Sequence, residues 1–175
     1  MEGLTRRLMN APRLIAGLVA LSAAGALALV LWLQLARGYA PCSLCVYQRA
    51  ADFAMFTAVL PGLFWTGWVR RGLWWTATAT ALTGAALAGW QWHLATRAAH
   101  TVESCTAVNL FPAAQGSGPW GHGLASALSG HGSCAVAGAR SLAGWPMTHW
   151  SIAFFLICAA LLGLAQWLAG RSASR

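Results

Sequence analysis

Four stretches of the chain, near 14–36, 46–69, 72–96 and 147–169, stay apolar over the length that a helix needs to cross a bilayer, about 20 residues for roughly 30 Å of hydrocarbon. A backbone that enters lipid must satisfy its own amides, so such runs fold as helices, and four of them pack as an all-α bundle. Composition agrees. Hydrophobic residues make up 58% of the chain and charged residues 8%, against roughly 45–50% and 25% in soluble domains. No linker or composition shift divides residues 1–175, which read as a single membrane domain. The third run is diluted by Thr, Gly and His93, but Trp74, Trp75, Trp90 and Trp92 gather toward its two ends, as in an interfacial aromatic belt. The apolar core of the first run, about 20 residues, exceeds the 7–15 of a cleaved signal segment and reads as a retained span.

Charge orients the bundle. The basic residues are eleven arginines, facing three acids, Glu2, Asp52 and Glu103, for a net charge of +8. Nucleic-acid binding would gather them on one polar face with interleaved aromatics; here they punctuate apolar runs instead. Arg6, Arg7, Arg13, Arg70, Arg71, Arg171 and Arg175 flank the runs on one side, while Arg37, Arg49, Arg97 and Arg140 are spread over much longer links on the other. Positive flanks stay cytoplasmic, which puts both termini inside and the links at about 37–45 and 97–146 outside.

That topology sorts the cysteines. Cys42 and Cys45 fall in the first outward link, Cys105 and Cys134 in the second, and Cys158 inside the fourth run. Cys158, among Phe, Leu, Ile and Ala, reads as a small buried hydrophobe. The other four face a compartment where disulfides persist. A zinc site would want a second closely spaced pair, whereas Cys105 and Cys134 are separated by 28 residues. A metal-handling protein would also want more than His100, His122, His131 and His149 at irregular spacing. Structural staples in a non-enzymatic four-span protein are the other alternative, but C-x-x-C closes a loop too short to remove much chain entropy. A redox pair fits better. A helix beginning near Val46 would favour thiolate at its N-terminus, and Arg49, one turn further on, puts a costly cation at the edge of the span. Arg49 could instead snorkel to the headgroups or pair with Asp52 at i,i+3. From the residues alone, four cysteines allow three connectivities.

Pro41-Cys42-Ser43-Leu44-Cys45 leading into Val46-Tyr47-Gln48-Arg49, the loop cysteine Cys105, the "GHGSC" that ends at Cys134, and "LAGWPMTHWS" entering the last run together resemble the DsbB family, over essentially all of 14–169. This is the quinone-linked disulfide bond formation family of the bacterial inner membrane. The resemblance implies a thiol–quinone oxidoreductase with redox loops facing the periplasm. In it, Cys105 and Cys134 exchange with a soluble DsbA-type thiol oxidase, and Cys42 and Cys45 are reoxidised by ubiquinone or menaquinone. It further implies that Cys45 contacts the quinone and Arg49 helps hold it, and the protein is expected to act as a monomer in lipid. Gln91, His93 and His100 offer further polar contacts to quinone near the end of the third run, and His93 is the one taken as a quinone ligand. Asp52 stands where the family pattern is apolar, and Pro146 precedes Met147 where the order is usually reversed. Within the long loop, Leu124 and Leu128 repeat at i,i+4, the pattern of a short amphipathic helix lying on the membrane.

Overall fold

The computed structural model describes residues 2–38, 41–97, 108–109, 129–130 and 132–173. Its helices are α1 (Glu2–Arg37), α2 (Ser43–Gly62), α3 (Gly67–Arg97), the short α4 (Cys134–Ala139) and α5 (Met147–Ala173). Over Ala11–Arg37 and Met147–Arg171, α1 and α5 are long and apolar enough to cross a membrane. Leu14, Leu18, Leu21 and Leu35 on α1, and Ile157 and Trp167 on α5, are more than half exposed. An outward face of this kind suits lipid and would be a liability in water.

Gly38, at φ +63°, ends α1 in the left-handed conformation that a β-carbon resists, and so delivers the chain to the C-x-x-C link. The second helix stops at Gly62, where hydropathy ran on to 69. Residues 63–66 form the turn, with the Phe64 and Trp65 amides both donating to the Pro61 carbonyl at 3.0 and 3.2 Å. Leu63, Phe64 and Trp65 in the turn, and Trp68 and Val69 already in α3, are apolar enough to hide the break.

Around the bundle α1 packs on α2, α2 on α3, α3 on α5 and α5 on α1. Neighbours run in opposite directions. At one end Gln34 of α1 meets Arg49 of α2, and Gln48 of α2 meets Gln91 of α3. At the other, Gln166 of α5 donates to the Trp74 carbonyl and the Thr78 hydroxyl at 3.4 and 3.0 Å. Arg13 lies within electrostatic reach of Arg70 at that second end. Small residues line the contacts: Ala16, Ala20 and Ala23 on α1, and Ala77, Ala81 and Ala88 on α3, are all buried. This lets backbones approach closely where no hydrophobic drive separates helix from lipid. Trp74 departs from the aromatic-belt expectation. It is 1% exposed, with its ring filling the space beside Gly62, whereas Trp75, Trp90 and Trp92 do face outward.

The α3–α5 contact turns on Gly84, where a β-carbon would meet the Phe155 ring at 2.5 to 2.7 Å, and Phe155 is itself buried. Gly84→Ala is expected to lower the thermal midpoint in detergent, at a cost of about 1–3 kcal/mol from overpacking. Adding Phe155→Leu should recover most of the loss, and an unchanged midpoint in the single variant would refute this packing.

The remaining elements gather at the end where α2 begins. β1 (Val108–Asn109) pairs antiparallel with β2 (Ser129–Gly130), and β3 (Ser141–Leu142) with β4 (Trp145–Pro146). Ala143 and Gly144, at φ 53° and 82°, close the second pair as a two-residue hairpin of the type that needs positive φ at both positions. Cys105, His100, His122, His131, Leu124 and Leu128 lie outside the described residues.

Candidate functional site

Cys42 is the N-cap of α2, which starts at Ser43 and therefore takes the C-x-x-C into its first turn. The Cys42 sulfur accepts the Cys45 amide at 3.2 Å, one of the orphan donors of a helix start. Cys42 is fully buried and Cys45 partly so; both are free thiols, with Sγ atoms 2.7 Å apart. The Gln91 side-chain amide reaches over from α3 and donates toward both sulfurs at 3.4 Å, while its carbonyl oxygen accepts from Gln48 Nε2 at 2.7 Å. Two glutamines, one on each helix, thus hold a donor over the pair.

These contacts divide the two thiols. Cys45 is lowered from 9.0 to about 6, chiefly because the Cys42 thiol hydrogen-bonds to it. Burial opposes the shift, while a backbone contact at Cys42, the Gln91 amide and the Arg49 charge add to it. Cys42 is raised by the same hydrogen bond and by burial, so it keeps its proton. The outcome is one thiolate and one thiol, the form in which a dithiol reacts as a nucleophile at neutral pH. Gln91→Leu removes one of these donors and leaves Gln48 Nε2 without its acceptor. The alkylation midpoint of Cys45 is expected to rise by roughly half to one unit, the equivalent of one net hydrogen bond. An unmoved midpoint would take Gln91 out of the site.

Cys45 stands on the wall of a cavity of about 500 Å³ that opens among α1, α2 and α5 under the β3–β4 hairpin. Its walls are mainly aliphatic and aromatic, from Leu29, Val30 and Leu33 of α1 to Phe154 and Phe155 of α5. Cys45, Gln48, Arg49, Asp52, Gln91 and Arg140 supply most of the polar groups. Arg49 donates to Gln34 Oε1 at 2.6 Å, across to α1. Asp52 Oδ1 has no hydrogen-bond partner, so that oxygen forms no i,i+3 pair with Arg49. An apolar chamber of this volume with a few convergent polar groups suits a flat ring carrying carbonyls and an aliphatic tail. The residues therefore fit a quinone.

Cys134 approaches from the loop side. Cys134, which is disulfide-bonded, opens α4, and its sulfur lies 3.8 Å from Ser43 Oγ. Gly132 donates to the Pro41 carbonyl at 3.0 Å and forms a parallel bridge with Cys42. A β-carbon at Gly130 would meet the Cys42 carbonyl carbon and oxygen and the Ser43 nitrogen at 2.7 Å. The loop backbone is thus seated on the C-x-x-C backbone.

Of the residues that the sequence singles out, Cys42, Cys45, Cys134 and Arg49 converge here. Cys158 is buried 4.0 Å from Ser22 Oγ, away from the pair. His93 is not on the cavity wall: its ring stacks on Trp90 at 5.6 Å, and α3 contributes Gln91 instead. Gln34 and Arg140 join the site without any sequence signal beyond being polar residues near the ends of apolar runs, and Gln48 lies in the stretch that leads from Cys45 to Arg49. Among the described residues, no three His, Cys, Asp or Glu side chains gather as a metal site would need.

The chain matches the family described as "Disulfide bond formation protein DsbB" over residues 12–165. A disulfide bond formation protein B of Chromobacterium violaceum is 33% identical over 156 residues, covering 88% of this chain and 90% of the relative. Another, of Verminephrobacter eiseniae, is 32% identical over 161 residues, covering 87% and 82%. No solved structure matches the chain.

Proposed function

Because the chain belongs to the DsbB family of disulfide bond formation proteins, we propose that it is a thiol–quinone oxidoreductase of the bacterial inner membrane. In this reading it acts as a monomer and reoxidises a periplasmic DsbA-type thiol oxidase. Electrons pass from Cys105 and Cys134 to Cys42 and Cys45, and on to ubiquinone or menaquinone. The apolar runs of all four long helices are spans, that of α2 from Val46 onward, with both termini cytoplasmic on the side of Arg70 and Arg71 near the start of α3.

The observation that carries this reading is the position of Cys45. Cys45 lines the apolar cavity with Arg49 beside it, while its partner Cys42 bridges to Gly132 of the loop that leads to Cys134. In this reading Cys45 serves the lipid-borne acceptor and Cys42 the loop pair, which in turn serves the water-borne donor. Each exchange is thiolate attack on a disulfide sulfur through a mixed disulfide. A thiolate of the partner opens the loop disulfide, and the loop thiols then reduce the Cys42–Cys45 disulfide. Cys42 keeps its proton while Cys45, held by Cys42, Gln91 and Arg49, is left as thiolate toward the cavity. A quinone, when bound, supplies a two-electron acceptor. Cys45, Arg49 and Gln91 would hold it, with the apolar walls excluding water.

The reading is tested on detergent-purified protein given reduced DsbA-type oxidase and a ubiquinone analogue, with quinone absorbance followed over time. Steady consumption is expected, and none would overturn it. Arg49→Gln is expected to raise the KM for quinone about tenfold or more, the loss of a charged hydrogen bond, while dithiol exchange at Cys134 is unchanged. An unaltered KM would make Arg49 a headgroup anchor only.

A further inference from the structure

Asp52 belongs to the polar face of α2 that looks into the cavity. Residues 45, 48, 49 and 52 recur at i, i+3, i+4 and i+7, which places Asp52 about 10 Å below Cys45 along the helix. Its side chain is 5% exposed, it lines the same cavity, and its Oδ1 has no hydrogen-bond partner. The titratable and charged groups around it are Cys45 and Arg49 on its own helix, Cys158 of α5 within electrostatic reach, and Arg140 across the cavity. From α1 and α3 the described wall presents Ala26, Leu29, Val30, Leu33 and Gln91, none of which titrates. Arg49 donates to Gln34 Oε1 of α1. A carboxylate this buried, with one oxygen left without a hydrogen-bond partner, is costly to desolvate. A carboxylic acid in the same place has a proton to give.

We propose that Asp52 is a proton-donating residue of the site, passing the proton of its carboxyl group to a quinone oxygen in this cavity. The inference rests on the thiol–quinone reading above and accounts for a proton which that reading leaves without a source. With Cys45 as thiolate, its proton has already gone to water and Cys42 holds the only thiol proton of the pair. Closing the Cys42–Cys45 bond releases one electron pair and that one proton, whereas quinol formation consumes an electron pair and two protons. Asp52 supplies the second proton and recovers it from water. Overall, two thiols and one quinone give one disulfide and one quinol.

The test has two readouts. In quinone-free protein at neutral pH, infrared spectra should contain a protonated-carboxyl C=O band that Asp52→Asn removes and Asp52→Glu restores. With three acids in the chain the assignment is simple. In quinone reduction by the dithiol-reduced protein, Asp52→Asn should lower kcat about 100-fold, as for loss of a general acid, with KM nearly unchanged, and Asp52→Glu should recover most of the rate. The thermal midpoint of Asp52→Asn should match or exceed that of wild type, since no contact of Oδ1 is lost. If Asn disrupts folding, Asp52→Glu and the wild-type band decide the matter. The inference is overturned if the wild-type band is absent, if Asn keeps the wild-type kcat, or if Glu is as slow as a folded Asn variant. Wild-type protein that consumes no quinone overturns the proposed function instead.

Discussion

Cys45→Ser is expected to abolish quinone consumption, and Cys42→Ala to do the same while also making Cys45 a poorer nucleophile. Loss of either sulfur removes the disulfide, so turnover should fall to the background without enzyme. The more discriminating measurement is alkylation of Cys45 against pH, read by mass spectrometry of the labelled peptide. In the wild type Cys45 is lowered to about 6, so at pH 7 thiolate exceeds thiol about tenfold. Labelling should therefore be nearly pH-independent above 7 and decline only as the pH falls through about 6. Cys42 supplies the largest cause of that lowering. In Cys42→Ala the midpoint should move up toward that of an ordinary thiol, and labelling at pH 7 should drop accordingly. A wild-type Cys45 whose labelling still climbs around pH 9 would contradict the geometry of the pair. Cys42, which keeps its proton through this range, should label slowly throughout.

Features that depend on one dominant force could be read from the sequence. Hydropathy located the four long helices because apolar length is a cumulative signal, and the C-x-x-C lay at a helix start because Gly38 and Pro41 interrupt α1 and α2. The turn at 63–66 was not legible, since its residues are as apolar as the helices on either side. Trp74 shows the limit of the belt argument. Its neighbour Trp75 faces outward, and only the facing Gly62 makes room for Trp74 in the core. The β3–β4 hairpin leaves no mark in the sequence because Ala143 takes a positive φ that usually marks Gly or Asn. Chemistry and spacing single out Cys42, Cys45, Cys134 and Arg49, which the structure brings near one another. That Gln91 and not His93 lines the cavity is not legible, because it depends on the rotation of α3 about its axis, and two residues of separation turn a side chain to a different face. Asp52 was visible as an anomaly, but only the cavity gives that acid something to do.

Gly130→Ala is expected to uncouple the two cysteine pairs. The atoms a β-carbon would strike, the Cys42 carbonyl group and the Ser43 nitrogen at 2.7 Å, are all backbone at the start of α2, and none belongs to a flexible side chain that could swing away. The loop strand must lift instead. Lifting it breaks the Gly132–Pro41 hydrogen bond and the bridge to Cys42, and draws the Cys134 sulfur away from Ser43. Exchange between disulfides needs an attacking sulfur in line with its target, and a misplacement of about 1 Å costs on the order of 100-fold in a positioned reaction. Oxidation of the DsbA-type partner should therefore slow by about ten- to a hundredfold. Quinone reduction driven by a small dithiol, which reaches Cys42 and Cys45 without the loop, should hold near its wild-type rate. Gly89→Ala, in α3 with open space around it, serves as the control and should alter neither rate. If Gly130→Ala oxidises the partner at full speed, electrons enter the Cys42–Cys45 pair by a route that does not need the seated strand. If both rates collapse together, the strand holds the C-x-x-C itself in shape, and the division of labour between the two pairs would have to be redrawn.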